Sequence, residues 1–233
     1  MISTIIQKLT IDRYVTPNIS RDLCFINNLR ARIICILFFA IALIATLYDF
    51  LIYKNTVGYQ PFILHFKTDL IFLIFTLFFL LYVFYSQVKE ENQIKKHHRI
   101  IHGAISFLII TWGAVKSSLT ILTQDLNYYI YFITVLITAL IFYFPFAMYL
   151  SQVIFSYLLI WLIHLLVDTT FKTSMYNLGF IFILLMIAFT ISRILYYYKV
   201  RFLMKEIELN KLKKYIHQNG REKPANEKAG FNQ

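Results

Sequence analysis

Lys116 stands inside an otherwise apolar run, about two thirds of the way along residues 99–122. An ammonium group there is costly unless it is paired or reaches a polar edge. It reads either as a ligand-binding or ion-pairing lysine facing a helix bundle, or as a structurally paired one. Trp112 lies one helical turn before it. Asp49 and Tyr53 end the first apolar run, His65 and Asp69 begin the second, and His164 and Asp168 end the fifth. The three acids, Asp49, Asp69 and Asp168, are candidate partners for Lys116. Each His/Asp pair is spaced four residues apart and so shares one helix face. Two such pairs at one end of a bundle could hold a divalent metal or titrate near neutral pH, which makes His65, Asp69, His164 and Asp168 a candidate metal set. His-x-x-x-Asp is a weak pattern, and simple interfacial residues are the plainer reading of the same four positions.

A basic run, Lys95-Lys96-His97-His98-Arg99, lies at the opposite end of the same span. Lys95, Lys96 and Arg99 fit contact with anionic lipid headgroups. His102 fits a hydrogen bond to a neighbour better than haem ligation, which needs histidines stacked on paired spans. Gly113/Ser117 and Ala114/Ser118 give two small-xxx-small pairs for close helix packing, within the bundle or between protomers. There is no C-x-x-C, G-x-S-x-G, H-E-x-x-H or P-loop, and Glu90-Glu91 lacks the companions of an intramembrane glutamate protease. No cofactor is implied. Cys24 and Cys35 both fall near the presumed cytoplasmic start of the first span, which argues against a structural disulfide.

The elements that must position these residues are transmembrane helices. Of 233 residues 59% are hydrophobic, and the mean hydropathy is +0.63. One soluble core cannot hide that much apolar surface, so lipid must cover part of it. Apolar runs predict spans at 32–53, 68–88, 99–122, 127–144, 146–167 and 176–198. The fourth is the shortest. Pro145 divides the run from Tyr128 to Val167, and Tyr143-Phe144-Pro145-Phe146 reads as a tight turn between two spans. With the N-terminus inside, Arg30, Arg32, Lys89, Lys95, Lys96 and Arg99 mark inner ends, while Lys54, Lys67 and Lys172 fall outside. Ten of 23 Lys and Arg lie from Arg193 onward, which makes the end of the chain a cytoplasmic basic tail. A soluble nucleic-acid binder is excluded by the spans, and no signal peptide is visible.

The expected fold is therefore all-α, a polytopic membrane bundle of six transmembrane helices over residues 30–198. An amphipathic cytoplasmic segment (1–29) precedes it, in which Ile2, Ile5, Ile6 and Leu9 keep helical spacing up to the break at Pro17, with Ser20 as the cap of the next helix. A short cytoplasmic helical stalk (199–218) follows, where Phe202, Leu209, Leu212 and Ile216 keep heptad spacing and Val200, Leu203 and Ile207 form a second stripe. A polar, disordered tail (219–233) ends the chain. Both termini are expected in the cytoplasm, with the bundle in a bacterial inner membrane.

Ser192-Arg193, Tyr196-Tyr197-Tyr198, Phe202-Leu203 and Lys205-Glu206-Ile207-Glu208-Leu209 resemble a known junction. It is similar to the exit from the six-span membrane-associated sensor (MASE-like) domains of bacterial diguanylate cyclases, class III adenylyl cyclases and some histidine kinases. In sequence the likeness covers about residues 190–212, and in general layout residues 30–216. No GGDEF-like or cyclase-like motif follows, and His217 lacks the flanks of a phospho-accepting box. The resemblance implies a non-enzymatic sensory or anchoring module without its output domain, homodimeric through its last helix and acting on a separate output protein. The rival expectations are a small transporter or channel with Lys116 in a polar path, and a membrane enzyme using the His/Asp metal set.

Overall fold

The computed structural model describes residues 11–53, 59–86, 93–120, 128–167 and 171–227, and these are helical with no strand among them. One 3₁₀ turn, Ile11–Tyr14, leads into helix α1 (Pro17–Tyr48), which widens into a π-helical turn at Asp49–Tyr53. Helices α2 (Tyr59–Tyr85), α3 (Lys96–Leu119), α4 (Tyr129–Ile141), α5 (Phe146–Val167) and α6 (Phe171–Glu227) follow. The amphipathic segment predicted around Ile2–Leu9, together with Asp168 and residues 228–233, lies outside the described residues.

Helix α1 does not begin at a Ser20 cap. The cap is Thr16, in extended conformation, whose hydroxyl accepts from the Ile19 N–H at 3.4 Å, and Pro17 is the first helical residue. Proline suits that position because the N–H it lacks would have had no helical partner and its fixed φ is already helical. The residue read as a breaker therefore starts the helix.

Among the described residues, five helices are long and apolar enough to cross a membrane: Pro17–Ile52, Phe62–Tyr85, His97–Leu119, Phe146–Leu166 and Gly179–Gln218. The predicted fourth span differs. Helix α4 has 13 residues, about 20 Å at 1.5 Å per residue, short of the roughly 30 Å of hydrocarbon. It still runs from one end of the bundle towards the other. The Tyr131 N–H donates to Ser117 Oγ near the end of α3 at 3.0 Å, while the Ile141 carbonyl accepts from Arg30 on α1 at 2.8 Å. The helix stops at Phe142, whose extended backbone (φ −98°, ψ 137°) leads into Pro145. Proline disfavours a helical residue before it and cannot donate to the preceding turn.

Helix α3 is central. Its apolar stretch is 56% buried, against 28–33% for the other four. Ile105, Ile109, Ile110 and Ala114 face the main core with Phe38, Phe72, Val135 and Tyr149. Outward faces carry Ile33, Ile44, Phe78, Leu81, Leu162 and Ile183, all exposed in the isolated chain as lipid-facing residues are. A second apolar cluster joins Ile11, Ile19 and Leu23 to Tyr196, Val200 and Leu203. The start of α1 and the exit of α6 therefore lie at the same end of the bundle. Helix α6 continues without interruption past the predicted stalk boundaries to Glu227, roughly 85 Å in all, so the stalk is the last span prolonged.

The small residues of α3 admit its neighbours. A methyl group added at Gly113 would collide with the Thr134 side chain on α4, and one at Gly103 with Met148 on α5. Thr134 is buried and its hydroxyl is held by the Tyr131 carbonyl, so it has little room to yield. We expect Gly113→Ala to cost about 1–3 kcal/mol, read as a lowered melting temperature in mild detergent. Gly179→Ala on α6 meets open space and should be neutral or slightly stabilising.

Candidate functional site

Asp49 opens the π turn at the end of α1, Asp69 lies on α2, and Lys116 lies in the last turn of α3. Turns of π-helix recur at functional sites, where the extra residue re-aims a side chain. The Lys116 ammonium donates to Asp69 Oδ2 at 2.6 Å and to Asp49 Oδ2 at 3.2 Å. Asp69 is fully buried and Asp49 nearly so. The indole N–H of Trp112 donates to the other Asp69 oxygen at 3.0 Å. Trp112 is aimed there by a stack on Phe72, with ring centroids 4.5 Å apart, and by the edges of Phe38. Asp69 thus receives a donor on each oxygen, whereas Asp49 accepts from the ammonium at the longer distance and lies against Asp69. Two carboxylates share one ammonium, so the fully ionised triad carries one excess negative charge in a low-dielectric setting. A proton or a monovalent cation would neutralise it.

The structure thus brings together Lys116, Trp112, Asp49 and Asp69 from the sequence-predicted residues. His65 is buried one turn from Asp69 and is tied to the Leu119 backbone. His164 on α5 is engaged elsewhere, in a 2.6 Å hydrogen bond with the Tyr128 hydroxyl. Among the described residues, no group of three or more His, Cys, Asp or Glu is placed to hold a metal ion. Asp69 turns to Lys116 and His164 to Tyr128, while Asp168, the fourth member of the expected metal set, lies outside the described residues. Lys95 and Arg99 are exposed, and Lys95 precedes α3 with its N–H donating to His98 Nδ1 at 3.1 Å.

A second polar constellation, absent from the sequence reading, occupies the other end of the bundle, around the 142–145 break. Asn27 pairs with the Tyr143 backbone as a peptide would: its amide donates to the Tyr143 carbonyl at 3.0 Å and its oxygen accepts the Tyr143 N–H at 2.9 Å. Arg30 reaches the Ile141 carbonyl and the Tyr143 hydroxyl and stacks on the Tyr143 ring. Asp12 accepts the Phe146 N–H at the start of α5, and Arg193 on α6 bridges Asp12 and the Phe144 carbonyl. Beside this knot, Cys24 Sγ lies 3.7 Å from His102 Nδ1, and His102 Nε2 lies 3.2 Å from Asn28 Oδ1. The signal for these residues was present: Asn27, Asn28 and Arg193 are polar groups within or beside apolar helices.

The helices and their lipid-facing surfaces define a multi-pass helical membrane protein. No family model, curated protein or solved structure matches the chain.

Removing one partner of a buried ion cluster leaves the others uncompensated. Lys116→Met should cost about 3–5 kcal/mol, measured by thermal unfolding in detergent. Adding Asp49→Asn and Asp69→Asn to that variant should restore part of the loss, since the stranded carboxylates are then gone.

Proposed function

We propose that the chain is a sensory and anchoring module of a signalling system, non-catalytic by itself, which pairs with a second copy through its last helix and hands a conformational signal to a separate partner. The observation that carries this reading is the division of faces on α6 beyond the bundle. Val200 and Leu203 are buried against the N-terminal segment. Phe202, Leu209, Leu212 and Ile216, the heptad-spaced stripe, are 52–61% exposed. A helix prolonged this far with one apolar stripe occupied and another open is suited to pairing. Arg193 gives the bundle a grip on the same helix, through the 142–145 break and Asp12. On this reading the protein sits in a bacterial inner membrane with both ends in the cytoplasm, as the distribution of Lys and Arg favours.

A second reading, a small transporter or channel, is favoured by the buried Asp49–Asp69–Lys116 triad, since charge held within a span commonly marks an ion or solute path.

Self-association in membranes separates the readings. The full chain is expected to dimerise, and a chain truncated after Tyr198 to remain monomeric. A full chain that is monomeric both in mild detergent and in lipid rules out the dimeric module. For the second reading, reconstituted protein should pass a small ion or solute into liposomes, with flux abolished in Lys116→Ala. Flux equal to that of empty vesicles removes it.

A further inference from the structure

Where α6 leaves the bundle, Tyr198, Phe202, Lys205, Leu209, Leu212 and Ile216 occupy the two core positions, a and d, of a seven-residue repeat. The apolar members of that stripe are 52–61% exposed. Val200 and Leu203 fall at f and b, on the far side of the helix, and both are buried against the N-terminal segment. The back of the helix is thus occupied and its front is open. Upstream the stripe turns into the bundle at Ala188, which is buried, and downstream its next positions are the polar Asn219 and Lys223.

The positions beside the stripe, e and g, hold the charge. Arg201 and Glu208 stand at g, Glu206 and Lys213 at e, and all four are exposed. The Tyr197 hydroxyl accepts from Arg201 Nε at 3.1 Å and so steadies the guanidinium, whose Nη groups are the donors for a carboxylate across an interface. Among the described residues no ion pair within the chain engages Glu206, Glu208 or Lys213. Two copies inserted in one membrane with the same orientation present these helices parallel. In a parallel pair in register, each g residue meets the e residue five positions on in the other helix. Arg201 then meets Glu206 of a second copy, and Glu208 meets Lys213. Two-fold symmetry repeats both contacts, so all four are attractive. A slip of one heptad instead sets Arg201 against Lys213 and Glu208 against Glu206, like against like, and opposes Lys205 to Leu212.

We propose, resting on the reading of α6 as the pairing helix, that this face accepts a second copy of the chain in parallel and in register, and that Arg201–Glu206 and Glu208–Lys213 are the contacts that select the alignment. Like-charge contacts penalise the slipped pairing while opposite charges favour the aligned one, so the two effects act together. Lys205 reinforces the choice. Its aliphatic stem lies along the seam while its ammonium reaches Glu206 of the second copy. A polar residue at one core position lowers the stability of a coiled coil and favours a single register. A seam this short is marginal for free helices in water, but the bilayer holds the two copies together and raises their effective concentration.

Two charge variants of the full chain test the alignment, with association in lipid vesicles read by energy transfer between labelled copies. Arg201→Glu with Lys213→Glu makes all four flanking charges acidic, and Glu206→Lys with Glu208→Lys makes all four basic. The positions are exposed, so both variants should melt with the native chain. Each alone is expected to self-associate roughly tenfold or more weakly than the native chain, and the two mixed to pair as well as it does. Register is read separately. Leu209→Cys should form a disulfide between copies, while Asn210→Cys, at an outward position, should not. The native chain, whose Cys24 and Cys35 are both buried, is the blank. A monomeric native chain overturns the pairing reading and the alignment with it. A dimeric native chain whose charge variants self-associate unchanged, or which cross-links at Asn210→Cys as readily as at Leu209→Cys, overturns the alignment alone and leaves the pairing in place.

Discussion

A break in a helix at the margin of a bilayer strips peptide groups of their partners, and little water is available there to replace them. The break at Phe142–Pro145 imposes that demand, and the protein meets it from several parts of the chain. Asn27 and Arg30 come from α1, Asp12 from the turn before it, and Arg193 from α6. Each supplies a group that the interrupted helix can no longer provide. The same interactions fix the start of α1 and the exit of α6 at one end of the bundle. A single local need therefore sets the relative placement of elements distant in sequence.

The opposite end obeys a different constraint. Lys116 sits in the last turn of its helix with its side chain largely buried, and its ammonium is met by Asp69 from α2 and Asp49 from the π turn closing α1. Ion clusters of this kind add little net stability over apolar packing, but breaking one is expensive. Their effect is to specify which faces of α1, α2 and α3 meet. Apolar packing against lipid-facing helices discriminates poorly between faces, because lipid is as apolar as leucine. Polar contacts at both ends, with Gly103 and Gly113 between them, provide that discrimination along α3.

Helix α6 runs on beyond the bundle as one continuous element. Its buried stripe is fixed by the N-terminal segment and its other stripe is exposed, so a shift at the Arg193 contacts has a rigid element through which to act. Continuous helix transmits such a shift further than a jointed connection, since no flexible residue absorbs it.

Much of this was legible in the sequence. Hydropathy alone located the helices, because hydrocarbon requires long apolar runs with internally bonded backbone. The cost of a buried ammonium singled out Lys116 and its candidate partners, and four-residue spacing put His65 and Asp69 on one face. Other features depend on distances across the fold. Hydropathy could not show that α4 would be a short helix completed by extended backbone, since apolar content does not report where helical hydrogen bonding stops. Spacing could not show that Asp69 would turn to Lys116 and Trp112, and His164 to Tyr128, instead of meeting at a metal. Nor could it align Cys24, His102 and Asn28 or place Asn27 against the Tyr143 backbone. Periodicity along a helix constrains which residues share a face, but only packing between helices decides which faces meet.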